Sequence, residues 1–177
     1  MSENAMRKHI EFHNKLMEVN ISDAALRQSQ KLDTVLIIEV QVYFSCLLGK
    51  RLAFYTEQPL VGAWQVESEQ FAVMLESSKP LTENVYIRFN TVMTKDCPVS
   101  DYVGPPPVTD FTITNQTPYV PSWLNIDFNK HLWSGEYGWP ASLVGHNNTK
   151  QVRGQAVKRL SPSSVESFSD QIIPARG

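Results

Sequence analysis

Five kinds of side chain in this sequence could carry chemistry, and each can be weighed by type and spacing. His9-Ile-Glu-Phe-His13 sets two imidazoles four residues apart, a spacing that on a helix can hold a metal ion. The zinc-protease arrangement places Glu directly after the first His, whereas here Glu11 follows two residues later. A third ligand would have to come from His131, His146 or a carboxylate. Two surface histidines are therefore expected, with no metal and no cofactor. Cys97 with His131 or His146 could form a thiol–imidazole pair, but no flanking motif supports a nucleophile there. Glu67 and Glu69 share one parity of a strand-like segment, the look of a solvated face. The chain has no glycine-rich phosphate cradle, no GxSxG elbow and no Walker motif. No catalytic residue is assigned, and the chain is read as a non-enzyme.

The most distinctive composition lies between Tyr119 and Trp139, where Tyr119, Trp123, Phe128, Trp133, Tyr137 and Trp139 alternate with Asn125, Asp127, Asn129, His131 and Glu136. Aromatic rings among short polar acceptors suit protein–protein hot spots, and they also suit stacking against sugars or bases. The plainer alternative is that the rings pin an irregular segment to a sheet. Tyr119, Trp123, Trp133, Tyr137 and Trp139 are the candidate interface or ligand platform. Beyond them, Lys150, Arg153, Lys158 and Arg159 form a basic patch with no acid between residues 150 and 159. With a net charge of −2 the whole chain offers no general field for nucleic acid or an anionic membrane, so residues 150–159 are the one place where nucleic acid could bind. The same charges could steer the segment onto an acidic neighbour, as residues 61–130 hold eight acids against four bases.

These groups must be positioned by the elements around them. From Val35 to Leu48, every second residue (Leu36, Ile38, Val40, Val42, Phe44, Cys46 and Leu48) is apolar. A period of two predicts a strand with one buried and one mixed face, and about 45 Å if it runs the full length. Gly49-Lys50 fits a two-residue turn into a return strand that carries Leu52 and Phe54. Ile87, Phe89 and Phe54 are the expected neighbours of the buried face. The other face is too apolar at Val35, Ile37 and Tyr43 to be wet, so the N-terminal helices, the Trp-rich segment or a partner should cover it.

Met6 to Val19 reads as an amphipathic helix with Phe12, Leu16 and Val19 on one stripe. Ser22 fits the N-cap of a second helix over Asp23–Gln30. Phe71, Val73 and Leu75 alternate, as do Val85 to Met93; Phe111 with Ile113, and Trp123 to Phe128, add shorter strands. Gly104-Pro-Pro-Pro107 predicts extended polyproline-like backbone. No helix of useful length separates the strands in this reading, which argues against parallel βαβ units. The expected fold is α+β and mainly antiparallel: a sheet or small sandwich of roughly five to seven strands, two N-terminal helices, and an extended C-terminal arm. Residues 1–140 make one domain, and 141–177, polar and serine-rich, make the arm.

At 177 residues and 42% apolar composition the chain can bury a full core. Cys46 and Cys97 cannot form a disulfide framework, and Cys46 falls on the buried parity. No signal-like apolar region opens the sequence and no run reaches membrane-spanning length, which points to cytoplasmic synthesis and no membrane partner. The partners expected are other protein subunits, same or different chain. The expected role is a non-enzymatic structural or interaction subunit of a larger assembly, such as a virion, phage tail or secretion-machine component. The alternative is a soluble ligand- or glycan-binding domain built on residues 119–139.

Overall fold

The computed structural model describes residues 4–44, 48–93 and 113–140. They form two mixed sheets and two short helices, and most of the regular structure is strand. Sheet A has four strands: β1 (Asn4–Phe12), β2 (Lys15–Ser22), β8 (Trp123–Asn129) and β9 (Leu132–Gly138), in the order β1-β2-β8-β9. Sheet B has five: β3 (Leu36–Phe44), β4 (Leu48–Thr56), β5 (Trp64–Gln65), β6 (Lys79–Pro80) and β7 (Val85–Met93), in the order β5-β4-β3-β7-β6. Helix α1 (Asp23–Ser29) follows β2, and α2 (Ser68–Glu76) lies between β5 and β6.

The first helix expected from the sequence, over 6–19, is instead the β1–β2 hairpin. His13 and Asn14, both at positive φ (49° and 61°), make the two-residue turn, a conformation that Asn tolerates better than most residues. The turn shifts the parity of the buried positions from Ile10 and Phe12 to Met17, Val19 and Ile21, which hides a period of two from a reading that does not allow for it. Leu16, central to the supposed helical stripe, is 58% exposed. The second helix forms as expected: Ser22 Oγ accepts from the Ala25 N–H at 3.2 Å and Asp23 sits in the first turn.

Strand β3 is central to sheet B. Its register sets Ile38 between Phe54 and Ile87, and Val40 between Leu52 and Phe89, as its sequence implies. Gly49 and Lys50, however, are strand residues opposite Tyr43 and Val42, so the turn does not lie at that dipeptide; Ser45, Cys46 and Leu47 are outside the described residues. The expectation of mainly antiparallel pairing holds in part: among the described residues four strand pairs are antiparallel and three parallel, so both sheets are mixed. β3 pairs with β7 in parallel, β2 with β8 in parallel, and β4 with β5 in parallel. The crossover from β4 to β7 runs through α2, where the alternation of Phe71, Val73 and Leu75 suggests a strand. In α2 it is Phe71 and Met74, three residues apart, that are buried, while Val73 is 64% exposed.

One core is shared by the two sheets: Ile10, Met17, Val19, Ile21, Leu124 and Ile126 from sheet A meet Leu36, Ile38, Val40, Leu52, Phe54, Ile87 and Phe89 from sheet B. At about 25 cal/mol per Å² this apolar burial is the main stabilising term. A second, smaller cluster lies on the other face of sheet B, where Phe71 and Met74 of α2 cover Ile37, Ala53 and Tyr55. The second face of β3 is thus covered in part by a helix from the middle of the chain, not from its N-terminus. Phe111, residues 104–107, and the proposed arm 141–177 lie outside the described residues.

Candidate functional site

The outward side chains of sheet A follow directly from its registers. Arg7 and His9 on β1 stand opposite Asn20 and Glu18 on β2, which in turn stand opposite Asn125 and Trp123 on β8; Trp123 and Asn125 stand opposite Gly138 and Glu136 on β9. Ile10, Met17, Val19, Leu124 and Tyr137, on the alternate parity, enter the core, so these residues share the opposite face. They are joined by hydrogen bonds. Arg7 Nε donates to Asn20 Oδ1 (3.2 Å), and Asn20 Nδ2 donates to both Glu18 Oε1 and Asn125 Oδ1 (each 3.1 Å). Glu18 also lies 3.7 Å from Arg7 Nε and 3.8 Å from His9 Nε2. Ser22, at the end of β2, donates to Asp127 Oδ1 at 2.5 Å. Asn20 is buried within this lattice, whereas Arg7, His9, Asn125 and Glu136 remain exposed around it. Trp123 lies across Gly138, where a β-carbon would come within 2.8 Å of its Cζ2. Only glycine lets that indole lie close to the sheet.

A second polar cluster is buried on the α2 face of sheet B. Glu39, Gln41 and Tyr43, at alternate positions of β3, are only 2–3% exposed. The Arg88 guanidinium donates to Glu39 Oε2 and, through Nε, to Ser77 Oγ at 2.8 Å. Gln41 Nε2 donates to Glu39 and to Tyr55 Oη (3.1 Å), while Gln41 Oε1 accepts from Tyr43 Oη (2.7 Å). Burial raises the Tyr43 hydroxyl above its ordinary range, against the pull of Arg51 beside it. Burial likewise pushes Tyr55 up to about 12, with the Glu39 carboxylate adding to the effect. Nothing in the period of β3 singles out this cluster. Its one signal is a Glu and a Gln at alternate positions of the most apolar strand in the chain, where unpaired polar groups would be costly.

The aromatic segment divides between roles. Trp133 and Tyr137 are buried in the shared core. Tyr137 Oη donates to the Gln41 carbonyl and accepts from the Arg51 N–H at 3.0 Å; Gln41 and Arg51 are register partners, so one hydroxyl from sheet A holds both β3 and β4. Burial keeps that hydroxyl protonated well above the usual tyrosine range. Trp139 packs edge-on to Tyr137 (6.0 Å) and donates from Nε1 to the Val120 carbonyl at 3.1 Å; Tyr119 packs edge-on to Phe44 (4.6 Å). Lys50 Nζ donates to the Tyr137 carbonyl at 2.7 Å and lies over both the Tyr137 and Trp139 rings; burial lowers its pKa, partly offset by Glu136. Four of the five platform candidates are thus engaged within the fold. Trp123 alone belongs to the polar face of sheet A.

His9 and His13 are not on a helix. His9 is on β1 beside Glu18, and His13 sits in the hairpin turn with its ring 5.8 Å from Phe89. Among the described residues no group of three His, Cys, Asp or Glu could hold a metal ion. His131 occupies the β8–β9 turn with Lys130, both at positive φ. Cys46, Cys97 and His146, and the basic patch Lys150, Arg153, Lys158 and Arg159, lie outside the described residues. Glu67 and Glu69 open α2 instead of lying along a strand. An open cleft of about 440 Å³ between that end of α2 and the ends of β3 and β4 is lined by Asp33, Glu57, Ser68, Phe71 and Leu75, with Ser68 Oγ donating to Glu57 at 2.5 Å. No described helix is long and apolar enough to cross a membrane. Comparison with known protein families, with curated proteins and with solved structures finds no match.

Proposed function

We propose that this chain is a non-enzymatic interaction subunit of a larger protein assembly, of the kind found in virions, phage tails or secretion machines. In this reading a small two-sheet sandwich presents the outer face of sheet A to another protein. The basic patch at Lys150, Arg153, Lys158 and Arg159, in the segment 141–177 outside the described residues, adds a second contact. One observation carries the reading: Arg7, Glu18, Asn20 and Asn125 are locked in a hydrogen-bonded lattice beside Trp123, on a sheet face where Arg7, His9, Asn125 and Glu136 stay exposed. Side chains ordered in advance lose little entropy on binding, and Trp and Arg are the residues most enriched at interface hot spots.

The face can be tested with photo-crosslinking side chains at Asn125 and Glu136, with Val73 on α2, also exposed, as the control. Discrete protein adducts from the first two positions and none from Val73 support the reading. Equal adducts from all three overturn it. A second reading, glycan binding, is favoured by Trp123 lying among Asn20, Asn125 and Glu18, since a ring beside amide and carboxylate groups suits a sugar ring. Quenching of indole fluorescence by soluble oligosaccharides, lost in Trp123→Ala, would select it.

A further inference from the structure

Of the four strands at the sheet edges β1 is the longest; the two-residue β5 and β6 pair with only Tyr55–Thr56 of β4 and Tyr86–Ile87 of β7. In sheet B, β6 ends in Pro80, which has no N–H to offer. In sheet A, the β9 edge is occupied at the Tyr137 carbonyl by Lys50 Nζ. The fourth edge, β1, is nine residues long, lacks proline, and has its one register irregularity at its start, between Asn4 and Met6. Arg7, Lys8, His9 and Glu11 along it are exposed.

The hairpin geometry says which backbone groups that edge presents. Phe12 and Lys15 flank a two-residue turn and therefore exchange backbone hydrogen bonds. By alternation the amides of Ile10 and Lys8 also face β2, and those of Arg7, His9 and Glu11 face away from it. An added strand would pair with these three residues, whose side chains lie on the outer face of sheet A.

We propose that β1 pairs antiparallel with β1 of a second copy about a two-fold axis at His9, joining the two four-stranded sheets into one. The charges along the strand select this register. About His9, Arg7 of each copy faces Glu11 of the other, giving two opposite-charge cross-strand pairs, and Lys8 faces Ile10. Pairing about Lys8 sets Arg7 against His9 and leaves both acids unmatched. Pairing about Ile10 sets Glu11 against His9, leaves Arg7 without an acid, and runs into the turn at His13. Lys8 does not intrude on the outer face, because its Nζ is held by the Pro80 carbonyl at 2.8 Å. Among the described residues Glu11 has no ion-pair partner, so its carboxylate is available. Charges on an edge strand usually protect it from promiscuous pairing; here they bar other registers and admit one. Arg7 and His9 also belong to the contact face proposed above, but this pairing is read from association of the chain with itself and so stands or falls separately from that face.

A single strand pair buries less than a standard interface, so the association is measured by sedimentation equilibrium of the full chain from about 10 μM to 1 mM. The wild-type chain is expected to dimerise in this range. Arg7→Glu and Glu11→Arg should each weaken dimerisation by about tenfold, because each creates two like-charge pairs across the axis. An equal mixture of the two variants should recover it, since positions 7 and 11 are both acidic in one variant and both basic in the other. The double variant R7E/E11R, in which the two charges have exchanged places, should recover it alone. Arg7→Glu also places a carboxylate near Glu18, so thermal unfolding of each variant is recorded; if R7E is unfolded, Glu11→Arg with recovery in R7E/E11R carries the test. A wild type that stays monomeric at about 1 mM, single variants that dimerise like the wild type, or failure of both mixture and double variant to recover association overturns the proposal.

Discussion

Replacing Tyr137 by Phe removes one buried oxygen and leaves the ring in place. That oxygen donates to the Gln41 carbonyl and accepts from the Arg51 amide, so its loss cancels two hydrogen bonds to the backbones of β3 and β4. A net worth of about 1 kcal/mol for each bond sets a loss of about 2 kcal/mol, rising toward about 3 kcal/mol if either backbone group is left buried and unpaired. The ring contacts with Trp139 and Lys50 persist, so no cavity term is added. With a urea m-value of about 2 kcal/mol per molar, the unfolding midpoint should fall by about 1 to 1.5 M with m unchanged. Tyr119→Phe is the matched control. Its ring packs on Phe44, its hydroxyl makes no hydrogen bond among the described residues, and its midpoint should move by less than about 0.3 M. If the Tyr137→Phe midpoint lies within about 0.25 M of the wild type, equivalent to about 0.5 kcal/mol on the same slope, the hydroxyl is not what ties the two sheets together.

Three other perturbations have definite expected outcomes. Arg88→Met deprives the Glu39 carboxylate, 2% exposed, of its ion pair with Arg88 and should cost about 3 to 5 kcal/mol, whereas the double replacement Glu39→Leu/Arg88→Met should recover much of that loss in urea titrations. Gly135→Ala would set a β-carbon 2.5 Å from the Asn125 carbonyl oxygen and 2.7 Å from Leu52 Cδ2, so backbone must move; a loss of about 2 kcal/mol or more in thermal or urea unfolding is expected. Stability should also fall at high pH. The folded pKa of Tyr55 is raised from 10 to about 12, so its contribution is complete below pH 10 and is lost as pH rises to about 12, about 3 kcal/mol in all. Tyr137 and Tyr43 shift in the same direction, while Lys50, lowered by burial, acts in the opposite sense. Absorbance at alkaline pH should therefore register these tyrosines ionising together with unfolding; ionisation of all tyrosines near pH 10 in a folded chain would contradict this.

What the chain determines locally is considerable. The period of two in Leu36–Phe44 and Val85–Met93 is enough to place both strands and even their contacts, because alternation forces Ile38, Val40, Ile87 and Phe89 onto one side. Ser22 caps α1 because the oxygen of a Ser at that position reaches the amide of Ala25 whatever the remainder of the chain does. Tertiary structure decides the rest. Whether Met6–Val19 is a helix or a hairpin depends on a two-residue turn at His13-Asn14, and the gain of burying Ile10, Met17 and Val19 against sheet B outweighs any helical tendency. Phe71, Val73 and Leu75 fit a strand on paper, yet Phe71 and Met74 reach Ile37 and Tyr55 only from a helix. Parallel pairing of β3 with β7 is invisible in either strand, since strand polarity is set by the path of the chain between them. The Trp-rich stretch reads as one platform, but residues of alternate parity face opposite sides of a sheet. Trp133 and Tyr137 therefore enter the core while Trp123 stays on the polar face, and that division, made by the pleat and by Gly138, is what leaves sheet A a surface to offer.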